Sequence, residues 1–220
     1  GWPHCPAMKQ RASAPIKRGP AAAVFLLLCA AAMPAGEVPA RPETFLLLPE
    51  PFSMRSPRSL KPQGAQKTVL TPARETAASP FIEAYSAEEL LALGISPETF
   101  AGRAAKAADR LLAGLQPEWI RDDQGQVLYA VYRGERPIYA SLLVAPSLPA
   151  LFEAAFGAEI WVTAPDRHAL YIFPAKSAAL GEFAADLQER YETHPYAATC
   201  EVFAWKKGQA APLAVGTLAD

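Results

Sequence analysis

The stretch Ile160–Pro174, reading IWVTAPDRHALYIFP, restricts the folds open to this chain more than any other. Its two apolar runs, Ile160-Trp161-Val162-Thr163 and Ala169-Leu170-Tyr171-Ile172-Phe173, are each too short for a helix. Both are rich in β-branched and aromatic side chains, which suit a pleated, half-buried surface. Between them, Ala164-Pro165-Asp166-Arg167 puts Pro at the second turn position, where its fixed φ fits a type I turn. Asp follows, where its carboxylate can bond nearby backbone. The pattern predicts a tight hairpin. Asp166, Arg167 and His168 then have two readings: charges of a solvated turn, or a polar cluster presented on a rigid scaffold, as binding residues often are. Position in a loop is by itself a weak functional signal, which favours the solvated turn.

Around this hairpin, helix and strand signals alternate. Ser86-Ala87-Glu88-Glu89 has the capping-box pattern, and Gly94 suits the residue just past a helix. Ser96-Pro97-Glu98 opens a second helix with Pro at its first position, and Phe100, Ala104, Ala107, Ala108, Leu111 and Leu115 recur at helical spacing. Asp122 to Gly125 is a turn signal, with the aspartates read as turn formers, and Val127–Tyr132 a strand. Ile138–Val144 is apolar enough for a buried strand, although its Ala-Ser-Leu-Leu core also fits a helix; strand is the reading adopted. Ser147 and Ser177 can cap two further helices, the second carrying the stripe Leu180, Phe183, Ala184, Leu187 and Tyr191 before Pro195 stops it. Thr199–Trp205 and Pro212–Leu218 complete the strands. The expected class is α+β: a largely antiparallel sheet with helices packed on one face.

The first 80 residues differ in character. Lys9, Arg11, Lys17 and Arg18 precede the apolar run Ala21–Ala32, the layout of a secretory signal peptide. That run falls short of the ~20 residues needed to span a hydrocarbon core, so stable membrane insertion is not expected once the signal is cleaved. Cleavage is expected after Ala40 or Ala35, and export to the periplasm or medium follows. Retention as an uncleaved anchor is the alternative; lipidation of Cys29 is disfavoured because Leu28 precedes it where a small residue is needed. Gly1 to Ala7 precede the first Met, and His4 and Cys5 are not read as part of a metal site. Thirteen of the 22 prolines lie in the first 80 residues. The expected organisation is therefore residues 1–40 as upstream residues plus signal, 41–80 as an extended or disordered lead-in interrupted by Phe45-Leu46-Leu47-Leu48, and 81–220 as one α+β domain.

Loss of residues 1–40 would take the formal charge from −1 to about −4, because four basic residues and one acidic residue leave. Such a balance argues against a nucleic-acid partner, which usually leaves a basic footprint. Only Cys200 would remain, so an exported form has no internal disulfide, and no basic neighbour in sequence activates that thiol. His168 and His194 are separated by a strand and a helix, and no ligand spacing of the H-x-x-x-H kind occurs; no metal or cofactor is expected. His194, before Pro195, is read as a helix-end residue. G-x-S-x-G, Walker and G-x-G-x-x-G patterns are absent. A Ser141 or Cys200 nucleophile with His168 as base and Asp166 as orienter can be drawn, but nothing in the sequence brings them together.

The run Ile160–Ile172, the following helix, Cys200–Trp205, Gly208 and Pro212 resemble the bacterial domain of unknown function 1444, the YtpQ-like family. Glu88-Glu89-Leu90, Gly94 and Ala104–Leu115 are similar to that family's preceding helices. The resemblance implies a fold and no catalytic residue, and the signal-like start and Pro-rich segment depart from the family's soluble members. The functional expectation is a non-catalytic binding or interaction domain for a protein or small ligand, with Asp166, Arg167 and His168 as candidate binding residues. A hydrolase using Asp166 and His168, and a membrane-tethered interaction module, are the alternatives.

Overall fold

The computed structural model describes residues 43–76 and 82–219. The expected signal segment, residues 1–40, lies outside them, while Arg41–Asp220 forms one compact unit. This corrects the start of the folded domain. Strand β1 (Leu46–Pro51) pairs antiparallel with β2 (Thr68–Glu75), and β3 (Ile82–Ala84) closes the other edge of this three-stranded sheet. The prolines that suggest a loose lead-in sit where a sheet tolerates them. Pro49 and Pro51 are on the edge strand β1, and Pro72 lies beyond Ala73–Glu75, the residues of β2 that β3 pairs. Leu46, Leu47 and Leu48 are all buried, and they alternate: Leu47 joins Tyr85, Phe100 and Ala104, while Leu46 and Leu48 join Ala73 and Ile138.

Helix α1 (Ala87–Ala92) starts at the reciprocal Ser86–Glu89 capping box, and α2 (Pro97–Ala113) at Ser96 with Pro at its first turn. Strands β4 (Glu118–Arg121) and β5 (Val127–Arg133) follow, joined through Asp122, whose Oδ1 accepts from the Gln124 and Gln126 amides. Residues 138–144 depart from expectation. Tyr139–Val144 is a 3₁₀ helix with i→i+3 bonds such as Ser141 N–H to Ile138 O (2.9 Å). A short run that is mostly apolar and mostly buried has no period by which sequence can tell strand from helix. Helix α3 (Leu148–Phe156) ends at Gly157, at φ 85°; Ser147 makes no side-chain cap and instead donates its amide and hydroxyl to Asp109 Oδ1 (3.0 and 2.7 Å).

The hairpin strands β6 (Glu159–Thr163) and β7 (Ala169–Pro174) pair as predicted, with Trp161 opposite Phe173. After α4 (Ala178–Thr193) come β8 (Glu201–Lys206) and β9 (Leu213–Thr217). The second sheet runs β4-β5-β7-β6-β8-β9 with every neighbour antiparallel. The class is thus α+β with an antiparallel sheet. Helices cover both faces instead of one. Ala130, Tyr132, Leu170, Ile172, Phe203 and Trp205 face the 3₁₀ helix, α2 and α3, whereas Val131, Ala169, Tyr171 and Phe173 face Leu180 and Leu187 of α4. Among the described residues no helix is long and apolar enough to cross a membrane.

Polar ties join the two sheets: Thr68 and Thr199 hydroxyls at 2.5 Å, Gln66 N–H to Glu201 Oε1 at 2.6 Å, and Ala214 N–H to Gln63 O at 2.9 Å. Gly64 makes the last possible. Its φ is 75°, and a Cβ there would stand 2.7 Å from Ala214 O. Gly64→Ala is expected to cost about 2 kcal/mol of unfolding free energy, from left-handed strain plus displacement of β9. A urea transition superimposing on the unsubstituted protein's would show that this loop does not dock.

Candidate functional site

Ala164–His168 joins β6 to β7, and it is not a solvated turn. The chain leaving α4 crosses it, with Arg167 N–H donating to Tyr196 O (3.0 Å) and Ala198 N–H to Pro165 O (3.0 Å), so Asp166 bridges Ala197 as a short strand pair. This seals Asp166 at 0% exposure. A buried carboxylate needs partners, and it has two: Oδ1 accepts from the His168 amide at 2.7 Å, and Oδ2 from Arg190 Nε of α4. The first bond is the local one the turn sequence anticipates. The second is visible only in three dimensions.

Arg167 turns the other way and donates to Glu50 of β1, whose second oxygen accepts from the Thr71 hydroxyl at 2.5 Å. The guanidinium also lies 5.9 Å from the Tyr196 ring centre. His168 stacks edgewise on His194 (ring centres 5.2 Å apart, planes at 62°) and near Tyr196 (5.6 Å). Its Nδ1 is sealed from water, has no hydrogen-bond partner among the described residues, and stands 3.6 Å from Asp166 Oδ1. Burial pushes the His168 pKa below its usual value; Asp166 opposes that shift, and His194 and Arg190 reinforce it. The net shift favours the uncharged imidazole beside Asp166.

The three predicted residues therefore converge on one region but face different partners. Sequence reasoning misses Arg190, His194 and Tyr196, which α4 and the segment after it deliver to the turn. It also expects no ligand set, whereas one donor atom each from Asp166, His168 and His194 all lie within 4.8 Å of one another. His194 Nδ1 accepts from the Tyr196 amide (3.1 Å).

The drawn nucleophile arrangement finds no support in the geometry. Ser141 is buried and donates its hydroxyl to Ile138 O at 2.6 Å. Cys200 is a buried free thiol whose pKa is raised, chiefly by burial. Neither is hydrogen-bonded to His168.

Beside Arg190 opens a cavity of about 440 Å³ between α4 and the sheet, lined by Tyr129, Tyr171, Phe173 and Phe183 with Asp186, Glu189, Arg190 and Thr193. The rings form a connected set: Tyr129 is 5.0 Å from Phe173 and 4.9 Å from Phe183, centre to centre. Burial raises the pKa values of Tyr129 and Tyr171, so both hydroxyls stay neutral. Arg190 is committed to Asp166, while Asp186 and Glu189 are exposed and have no ion-pair partner among the described residues. The cavity is aromatic below and acidic at its rim. Comparison of the chain with protein-family models, curated proteins and solved structures finds no match in any of the three.

Proposed function

We propose that this protein is a non-catalytic binding domain that takes a small organic cation in the aromatic groove between β5, β7 and α4. The observation that carries this reading is the pair of partly exposed rings Tyr129 and Phe183 together with two carboxylates that have no ion-pair partner among the described residues, around one cavity. Aromatic faces carry negative quadrupole potential, so they attract a desolvated cation, and each such contact contributes ~0.5–2 kcal/mol. A volume of about 440 Å³ is of small-molecule size. Arg190 does not oppose the cation strongly, since Asp166 neutralises it. The basic-then-apolar order of residues 9–32 supports action outside the cytoplasm.

Choline and its neutral isostere 3,3-dimethyl-1-butanol separate charge from shape. Choline is expected to bind and to perturb the Tyr129 and Phe183 ring resonances in NMR titration, and the isostere to bind much more weakly. Phe183→Ala and Asp186→Asn should each weaken choline by roughly tenfold, in line with the loss of one cation–π or one charge contact. Equal binding of the two probes, or no response at these rings, would overturn the proposal.

A further inference from the structure

A second site adjoins the groove and is chemically unlike it. We infer that Asp166, His168 and His194 form a binding site for a single divalent transition-metal ion of the zinc type. The donor set is two imidazoles and one carboxylate, the composition that zinc accepts with a fourth position left to water or another ligand. Ligand atoms at 2.0–2.1 Å from one ion are at most about 4.2 Å apart, so the observed spread within 4.8 Å closes with small side-chain rotations. The Asp166 Oδ1 to His168 Nδ1 separation of 3.6 Å already meets that limit.

His168 Nδ1 is the independent sign. It is hidden from water without a hydrogen-bond partner among the described residues, a condition that a buried polar atom does not normally hold. An ion would satisfy it. Asp166 retains lone pairs after accepting from the His168 amide and Arg190, and these two donors hold the carboxylate in place, as outer partners do around metal ligands.

Two features limit affinity. The Arg190 guanidinium adds positive charge beside the ion, and capture by His194 costs its exposed bond from the Tyr196 amide if Nδ1 is the ligand atom. These argue for moderate affinity and against a permanently occupied structural centre. The site explains why a turn would bury an aspartate next to two stacked imidazoles.

The test titrates Zn²⁺ alone into the full chain by calorimetry with a competing chelator, alongside thermal melts. One ion per chain is expected, with a rise in Tm on saturation. His168→Ala and His194→Ala should each weaken zinc at least tenfold and remove the Tm rise. His194 is half-buried at the end of α4, so its variant keeps the test valid should His168→Ala fold poorly. Absence of zinc binding by the unsubstituted chain, or zinc affinity unchanged in His194→Ala, would overturn the inference; choline binding is read separately and does not bear on it.

Discussion

Asp166→Ala is expected to lower unfolding free energy by about 3 kcal/mol, the low end of the range for breaking a buried charge pair. The wild-type carboxylate is fully buried, and its removal strips Arg190 of its anion and the His168 amide of its acceptor. Arg190 keeps 37% of its side-chain exposure, so water recovers part of its solvation and the loss stays below the extreme. Asp166→Asn should fall between the two, because its side-chain oxygen can still accept from the His168 amide while the charge for Arg190 is gone. Equilibrium urea denaturation with far-ultraviolet circular dichroism reads all three. Coincident transitions for native and Asp166→Ala proteins would mean that the turn stands in water after all.

The second large effect lies in the Pro-rich segment. Leu48→Ala should destabilise by roughly 2–5 kcal/mol, as expected for a fully buried leucine truncated to leave a cavity. Leu48 is 1% exposed and packs with Leu46, Ala73 and Ile138, so the loss falls on the contact between β1 and the rest of the unit. A disordered lead-in predicts no change. The same denaturation experiment decides, and a midpoint shift without change in its slope would locate the effect in the native core.

Local signals account for what was legible. The Ser86–Glu89 box, Pro97 at the start of α2, Gly157 after α3 and the Asp122 turn are all satisfied within a few residues of sequence, so their residue types suffice to announce them. The β6–β7 hairpin belongs with them, since both strands and the turn lie in one sixteen-residue stretch. The apolar stripe of α4 announces a buried face too, yet which sheet face it covers depends on the path of the chain between β7 and β8.

Non-local pairing accounts for what was hidden. Strands β1 and β2 carry prolines that a propensity reading penalises; the edge position of β1 makes Pro49 and Pro51 harmless, and Pro72 of β2 lies beyond the residues that β3 pairs. Tyr139–Val144 is mostly apolar, and tertiary packing around its buried Ala140, Ser141, Leu142 and Leu143 selects the 3₁₀ form. At the candidate site the sequence names Asp166, Arg167 and His168 because they adjoin one another.

The sequence by itself thus determines an α+β chain with an antiparallel hairpin, side-chain caps at Ser86 and Ser96 but not at Ser147 or Ser177, and a charged turn at Asp166, since these follow from backbone stereochemistry and hydrophobic period. Only the tertiary structure decides that the turn is buried, that Arg190 holds Asp166, and that His194 meets His168. Those contacts join residues 24 to 26 positions apart, and no local spacing encodes them: the crossing of the segment after α4 over the β6–β7 turn brings them together.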